Sequence, residues 1–338
     1  MAIQSPMSVS DDGRLESLDG WRGISILLVL ACHLLPLGPE IWELNAMAGP
    51  MGMALFFTLS GFLITRFLLF HTSVVDFLIR RFFRIVPLAW IGLAFALPFA
   101  LAPVSSYVPN FLFYANLPPQ HLVDISSHYW SVYIEMQFYV GIACAVGILG
   151  RRGLYAIPVL CVAITLHRVL AEAPIDIVTW RRADEIFAGG VIALMHAGRF
   201  GANARLILGR PNVYILLAVL ALCSHPRFAW LNYLRPYVAG LLVGATLVEP
   251  PPLFGRILHS RVLAYVAAIS FALYVIHHLF MYTWLGAGET QLEKYAKTPL
   301  LFAATFLLAH LSTFYFERPL IDFGKRLSVR IRRPPKPA

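Results

Sequence analysis

Long apolar segments recur along almost the whole chain and constrain its fold more than any other feature. Runs of about 17–25 residues, each long enough to cross a bilayer, begin near residues 20, 49, 83, 129, 153, 182, 211, 229, 262 and 298. Of the 338 residues, 59% are hydrophobic and only 13% are charged, whereas a soluble domain carries about 25% charged residues. The sequence therefore predicts an all-α, polytopic integral membrane protein with about ten transmembrane helices.

The positions of lysine and arginine predict the orientation of these helices. If the N-terminus is cytoplasmic, most of the 27 Lys and Arg residues fall on the cytoplasmic side, and the long loop 104–128 contains none. Positive loops mark the cytoplasmic side, so we expect both termini there and an even number of spans. The chain divides into a cytoplasmic tail (1–17), a membrane domain (18–325) and a basic cytoplasmic tail (326–338). The net charge of +9 does not indicate nucleic-acid binding, because the cations lie between apolar runs and in the tail.

The first apolar segment contains two polar residues that are costly to place in lipid. Arg22 lies at its start and His33 lies deep inside it. At about 100° per residue, their side chains project from one helix face. At about 1.5 Å per residue, they lie roughly 16 Å apart along the helix axis. Ionisable residues inside membrane segments usually mark a functional site. The presence of Arg22 and His33 in this segment therefore predicts such a site.

With this orientation, Arg22 falls in an inner polar layer together with arginines of the third apolar segment. Arg80 and Arg84 share a helix face at i, i+4, and Arg81 lies beside Arg84 at i, i+3. Clustered guanidinium groups bind phosphate well, which predicts a polyanion site at Arg22, Arg81 and Arg84. In the alternative interpretation these arginines are ordinary positive-inside anchors.

An outer polar layer at the depth of His33 is suited to proton transfer. A neutral imidazole at His33 can take a proton from a hydroxyl, and Glu135 is expected at a similar depth to orient the ring. His277 and His278 point about 100° apart, so we expect at most one of them to face this site. Alternatively, His33 is a satisfied core histidine and Glu135 a helix–helix hydrogen-bond partner. Further residues expected to support the site are Gln137, Arg182, Asp184, Tyr274 and His277.

Other candidate groups are expected to be structural. Ser60, in the pair Ser60-Gly61, lacks the context of a nucleophile elbow and is expected to allow close helix packing. The four cysteines lie inside apolar runs without the spacing of metal ligands. We therefore predict neither a metal site nor a disulfide.

Several motifs, in order, resemble those of acyltransferase family 3, the polytopic membrane O-acyltransferases of bacteria. The matching segments are Leu18–His33 (an arginine-to-histidine motif), Phe56–Ile64, Arg81–Pro87 (R-x-x-R), Trp130–Tyr139 (W-S-x-x-x-E-x-Q-F-Y), Ser270–His277 and Glu317–Pro319, with Arg182–Gly189 a looser match. The resemblance covers roughly residues 15–325. Each motif is weak alone, and their order and spacing make the match specific.

The resemblance implies transfer of an acyl group, usually acetyl, from cytoplasmic acyl-coenzyme A to a hydroxyl of a saccharide, glycolipid or polysaccharide precursor. At the matching positions it implies His33 as the catalytic residue, as general base or as a first acceptor of the acyl group. It also implies Glu135 as a site partner and Arg22, Arg81 and Arg84 as essential polar positions. We expect acetyl-CoA as donor, no metal, and a multi-pass location in the bacterial cytoplasmic (inner) membrane. Some members carry an extracytoplasmic hydrolase-like domain, and this chain is expected to act without one.

Two other functions stay open at this point. An O-acyltransferase that modifies a macrolide-type small molecule would share the same motifs. A transporter of an anionic or acylated substrate would also use intramembrane charges, and it predicts inverted repeats or broken helices at the midplane. We find no such pattern in the sequence. A non-catalytic scaffold does not account for the predicted layer of His33, Glu135 and His277.

Overall fold

The computed structural model describes residues 15–71 and 73–332, which form helices and contain no β-strand. The helices are α1 (Glu16–Leu34), α2 (Leu44–Phe70), α3 (Val74–Phe99), α4 (Tyr107–Phe111), α5 (Trp130–Leu149), α6 (Ile157–Leu170), α7 (Asp184–His196), α8 (Ala202–Leu208), α9 (Val213–Ser224), α10 (Arg235–Val248), α11 (Pro252–Leu258), α12 (Arg261–Ala268), α13 (Ser270–Met281), α14 (Gln291–Leu311) and α15 (Arg318–Arg332). A 3₁₀ turn, Asp124–Tyr129, precedes α5, and a π-helical turn, Ser312–Glu317, joins α14 to α15. The ends of the two predicted tails, 1–14 and 333–338, lie outside the described residues.

Five helical segments within the described residues are long and apolar enough to cross a membrane. They are Glu16–Leu34, Leu44–Phe70, Val74–Phe99, Asp124–Leu170 and Leu292–Ile331. The number rises to seven if each of two bent helix pairs is one span. These findings confirm an all-α polytopic membrane protein. The larger number of spans and the cytoplasmic position of both termini stay predictions.

The two bent pairs are the main departure from a bundle of straight helices. Pro226–Val248 and Pro252–Leu258 meet at 96°, and α12 and α13 meet at 67° around Ile269. At the second bend, the Ser270 hydroxyl donates to the carbonyl of Ala267 at 2.9 Å, a local bond that competes with regular helical bonding. The bend places both α12 and α13 against α1.

Small residues let α2 pack closely against the helices on either side of it. A Cβ added to Gly61 would lie 1.8 Å from the carbonyl oxygen of Ile186. A Cβ added to Gly189 would lie 1.9 Å from the carbonyl oxygen of Thr58. The backbones of α2 and α7 are therefore in direct contact. On the other side, the Ser25 hydroxyl of α1 donates to the carbonyl of Gly52 at 2.9 Å. These contacts fix α1, and with it Arg22 and His33, against the centre of the bundle.

Candidate active site

A cavity of about 370 Å³ opens where α1, α2, α3 and α15 meet, and five cationic side chains line it. They are Arg22, Arg80, Arg81, Arg84 and Lys325. The structure thus brings together the three arginines that the sequence assigned to a polyanion site. We call this cavity the arginine mouth. A wall with several guanidinium groups suits an anionic ligand such as a phosphate.

Individual contacts hold these arginines in place. The Arg81 guanidinium lies over the rings of Phe77 and Tyr139, 5.8 and 5.6 Å from their centroids. Arg80 donates to Asp76 at 2.7 Å, and Arg22 pairs with Asp19 at 3.2 Å. Stacking on aromatic rings leaves the edge of the Arg81 guanidinium available for an anion.

A second, smaller cavity of about 50 Å³ adjoins the arginine mouth and contains Glu135. Its lining includes Arg22, Arg81 and Arg84. The Glu135 carboxylate accepts hydrogen bonds from the hydroxyls of Ser60 and Tyr139. The carboxylate is thereby held beside the arginines. Ser60, expected only to permit packing, is a polar partner of this group.

The expectation that Glu135 lies at the depth of His33 is wrong. The residue that shares the layer of His33 is His128, in the turn before α5. Glu135 follows seven residues later, and at about 1.5 Å per residue it lies roughly 10 Å deeper along α5. Glu135 would lie near the depth of His33 if α5 began at the membrane surface. In the structure the preceding turn is itself buried within the bundle.

A third cavity of about 20 Å³ continues from the second one toward the histidines. Arg22 lines all three cavities, and Phe56 and Phe271 line the second and the third. The third cavity ends at Tyr274, whose ring stacks on Phe56 with centroids 6.4 Å apart. A space of this size holds about one water molecule. The three cavities thus adjoin one another in a row, which we call the passage, and the aromatic rings of Phe56, Phe271 and Tyr274 line its narrowest part.

Four histidines lie close together beside Tyr274, and we refer to them as the histidine cluster: His33, His128, His277 and His278. The His33 ring centroid lies 5.4 Å from that of His277 and 5.5 Å from that of His278. The His128 centroid lies 5.4 and 4.5 Å from the same two rings. Both α13 histidines thus approach His33, and the expectation that at most one of them faces this site is wrong. The His33 ring lies between the two side-chain directions, within reach of both.

Hydrogen bonds to the backbone fix the protonation of two cluster members. Nδ1 of His277 lies 2.7 Å from the Tyr274 carbonyl oxygen, and Nδ1 of His278 lies 2.9 Å from the Ile125 carbonyl oxygen. A carbonyl accepts only from N–H, so each neutral ring carries its hydrogen on Nδ1 and a lone pair on Nε2. Among the described residues, Nε2 of His277 is buried without a hydrogen-bond partner.

Tyr274 joins the histidine cluster to the passage. Its hydroxyl donates to the carbonyl of His128 and lies 2.7 Å from the Ser131 hydroxyl. A phenol has one hydrogen, so Tyr274 accepts from Ser131. Its ring lies 5.8 Å from His277 and 5.3 Å from His128. The structure therefore places the predicted residue Tyr274 beside His33's neighbours.

Gln137 lies away from the histidine cluster. Its amide donates to the Phe113 carbonyl at 2.8 Å and to Asn116 at 2.9 Å, and it accepts from Thr179 at 2.6 Å. Both amide hydrogens and the amide oxygen thus take part in tying two loops to α5. This geometry supports the scaffold rather than the chemistry.

Arg182 and Asp184 belong to a separate, fully buried ion-pair network. Asp184 pairs with Arg168 at 2.5 Å. Glu185 pairs with Arg235 at 2.7 Å and with Arg182 at 3.5 Å. The Arg182 guanidinium also lies 5.4 Å from the ring centroid of Trp130, at the start of α5. This network connects α6, α7 and α10, and Arg182 also contacts the start of α5 through the Trp130 ring.

His128, a member of the histidine cluster, was not among the residues predicted from the sequence. Its signal was its place two residues before Trp130, at the start of the W-S-x-x-x-E run. Within residues 15–71 and 73–332, no group of three or more His, Cys, Asp or Glu side chains is arranged to hold a metal ion.

Comparison with known proteins finds curated relatives whose names describe O-acetyltransferases. Matched relatives include the peptidoglycan O-acetyltransferase OatA of Listeria monocytogenes (22% identical over 91% of this chain and 56% of the relative). Others are the O-acetyltransferase OatA of Staphylococcus aureus (24%, 92% and 58%) and the putative peptidoglycan O-acetyltransferase YrhL of Bacillus subtilis (24%, 92% and 56%). The chain thus spans a little over half the length of these relatives. No solved structure matches it.

The family model described as an acyltransferase domain matches residues 15–318, which is nearly all of the described chain. This match confirms the resemblance that the sequence motifs indicated. The chain belongs to acyltransferase family 3.

Proposed function

We propose that this protein is a membrane O-acetyltransferase that takes an acetyl group from acetyl-coenzyme A and transfers it to a hydroxyl of a cell-envelope polysaccharide or its lipid-linked precursor. The proposed location is the bacterial cytoplasmic membrane. One observation carries the proposal: three adjoining cavities share Arg22 and lead from the arginine mouth to Tyr274, beside the histidine cluster. The relatives' names, which include peptidoglycan O-acetyltransferase, support the acceptor class.

The donor end of this proposal rests on charge. Arg22, Arg81 and Arg84 hold the phosphates of the coenzyme at the arginine mouth, as clustered guanidinium groups do in other proteins. Glu135 lines the same cavity as these arginines and offsets part of their positive charge. When bound, the coenzyme supplies an activated acetyl thioester.

The acceptor end rests on the histidines. His33 is partly exposed and takes the proton of the acceptor hydroxyl as general base. His277, which keeps its hydrogen on Nδ1, presents its unpartnered Nε2 in the same cluster. Tyr274 closes the end of the passage. The distance from Arg22 to His33 along α1, roughly 16 Å, lets one long, thin donor contact both ends.

Purified protein in detergent, incubated with radiolabelled acetyl-CoA and glycan fragments of peptidoglycan, tests this function. We expect labelled ester on the glycan with the wild-type protein. His33→Ala is expected to abolish transfer and to leave acetyl-CoA binding within about threefold of wild type, because His33 lies far from the phosphates. Wild-type transfer by His33→Ala contradicts the assignment of His33 as general base. So does a His33→Ala variant whose loss of transfer is fully explained by weaker binding of acetyl-CoA. His310→Asn, in α14 and outside the site, is the matched control.

The bent helix pairs favour one second candidate, a transporter of an anionic or acylated substrate. Broken helices near a polar site are typical of transporters, and the bend at Ile269 places Ser270 and Phe271 in the passage beside Arg22. The same labelled assay separates the two functions. A transporter moves labelled substrate into vesicles and forms no acetyl ester, whereas an acetyltransferase forms ester in detergent, without any closed compartment.

A further inference from the structure

The cations of the arginine mouth fall into two sets according to their depth. Arg22, Arg81 and Arg84 line both the mouth and the second cavity. Among the described residues, Arg80 and Lys325 line the mouth and are absent from the linings of the two inner cavities. Their side chains are 34% and 54% exposed, whereas that of Arg22 is 20% exposed. The mouth therefore has an inner set of arginines and an outer pair of cations.

Lys325 reaches the mouth from a different helix than the arginines around it. It belongs to α15, which packs closely along α3, because a Cβ added to Gly324 would lie 2.7 Å from the ring of Phe83. Phe323 packs edge-on against the same ring, with the centroids 5.3 Å apart. The Lys325 ammonium donates to Asp322 at 2.9 Å in an exposed pair. Such a pair contributes little free energy, so an anion in the mouth can compete with Asp322 for Lys325.

The lining of the mouth presents positive charge to a ligand. Within the part of the chain that the structure describes, no acidic side chain lines it. The carboxylates that pair with its cations are Asp19 on Arg22, Asp76 on Arg80 and Asp322 on Lys325. None of these three carboxylates is part of the lining. A ligand with several phosphates is therefore favoured over one with a single charge.

Coenzyme A carries its phosphates in a fixed order. The pantetheine arm ends in the thioester, the diphosphate joins the arm to the ribose, and the 3′-phosphate is attached to the ribose. If the thioester points into the passage, the diphosphate lies at the inner arginines and the 3′-phosphate lies farther out. A phosphate monoester carries about 1.5–2 negative charges at neutral pH, and lysine binds phosphate as a point charge. The order of the phosphates thus matches the order of the two sets of cations.

We propose that Lys325, together with Arg80, binds the 3′-phosphate of the coenzyme and makes the protein select coenzyme A over its dephospho form. This proposal rests on the proposed function, because it names the part of the donor that is held at the outer mouth. Arg80 keeps its bond to Asp76 at 2.7 Å, so Lys325 supplies the cation that moves onto the phosphate. The helix α15 then forms the outer wall of the donor site.

Titrations with acetyl-CoA and with acetyl-dephospho-CoA, which lacks only the 3′-phosphate, test this contact in purified protein in detergent. We expect the wild-type Kd for acetyl-CoA to be about three- to tenfold lower, as for one charge pair at a partly exposed site. Lys325→Met keeps the apolar stem and removes the charge. It is expected to raise the Kd for acetyl-CoA to the value for the dephospho form and to leave the latter unchanged. Lys325→Arg is expected to keep the preference.

Two further variants serve as controls. Arg326→Met removes the same charge from the next residue of α15, which is exposed and does not line the mouth. We expect it to change neither Kd. Arg84→Ala is expected to raise both Kd values by the same factor, because the two ligands share the diphosphate.

The outcomes distinguish this proposal from the proposed function. If the wild-type protein binds neither ligand, the donor in the proposed function is wrong, and this proposal fails with it. If it binds both ligands with the same Kd, the donor class stands and the 3′-phosphate site is wrong. If Lys325→Met weakens both ligands equally, or Arg326→Met has the same effect as Lys325→Met, Lys325 supplies only general positive charge and its assignment is overturned.

Discussion

His33 in α1 and His277 in α13 place their rings 5.4 Å apart, although nearly the whole membrane domain separates them in sequence. The bend at Ile269 makes this contact, because it lets α13 lie against α1 while α12 contacts the same helix lower down. The same arrangement puts Ser270 into the cavity of Glu135 and Tyr274 at the end of the passage. One bent helix thus lines both ends of the proposed site.

Replacing Arg84 is expected to weaken donor binding. Arg84 lines both the arginine mouth and the Glu135 cavity, and one charge-assisted hydrogen bond contributes about 1.5–3 kcal/mol. Arg84→Ala should therefore raise the Kd for acetyl-CoA about 10- to 100-fold in a calorimetric titration. Arg151→Ala, an exposed arginine after α5, is the control with an unchanged Kd. An unchanged Kd for Arg84→Ala itself counts against the phosphate role.

Replacing Glu135 distinguishes its observed place from the one that the sequence suggested. Beside the arginines, its charge competes with the donor phosphates, so Glu135→Gln should bind acetyl-CoA more tightly, by about 1 kcal/mol for one Coulombic contact near water. The pH dependence of kcat should stay as in the wild type. A partner of His33 would behave in the opposite way, with an altered pH profile and an unchanged donor Kd.

The contact between α2 and α7 is expected to tolerate no side chain at Gly61. A Cβ there would lie 1.8 Å from the Ile186 carbonyl oxygen, so the backbone must shift. Overpacking of this kind costs about 1–3 kcal/mol or more, and Gly61→Ala should lower the Tm in detergent. Gly147→Ala is the matched control in α5, where a Cβ meets nothing within 4 Å. Equal Tm values for the two variants would show that the helices are not in contact.

The buried ion pair between Asp184 and Arg168 should affect stability rather than chemistry. Both side chains are 0% exposed and 2.5 Å apart. Breaking such a pair leaves an uncompensated buried charge and costs about 3–5 kcal/mol. Asp184→Asn should lower the Tm clearly, while the protein that stays folded keeps the wild-type KM for acetyl-CoA. A raised KM with an unchanged Tm would instead place Asp184 in the active site.

The grouping of the arginines was predictable because it depends on the periodicity within each helix and on the direction in which each helix crosses the membrane. The spacing of Arg22 and His33, the grouping of Arg80, Arg81 and Arg84, and the rule for positive loops use only local periodicity. The structure brings Arg22, Arg81 and Arg84 into one cavity as expected. Helical periodicity together with the orientation of the helices was enough to group these residues.

The remaining features depend on packing that no local pattern reveals. The depth of Glu135 follows from the buried turn before α5, and that turn also brings His128 to the cluster. The bend at Ile269 occurs without a proline or glycine at that position. His277 and His278 both approach His33 because the His33 ring, which belongs to another helix, lies between their two side-chain directions. To predict any of these features, one must already know where a neighbouring helix or turn lies.

The central claim is that Arg22 and His33 belong to two ends of one passage, with the donor at one end and the acceptor at the other. The most direct test uses sealed vesicles with the protein in a single orientation, labelled acetyl-CoA on the side of the arginine mouth and a peptidoglycan glycan fragment on the other side. The account predicts labelled ester on the glycan with the wild-type protein and none with His33→Ala. Transfer only when donor and acceptor share one side of the membrane would contradict it.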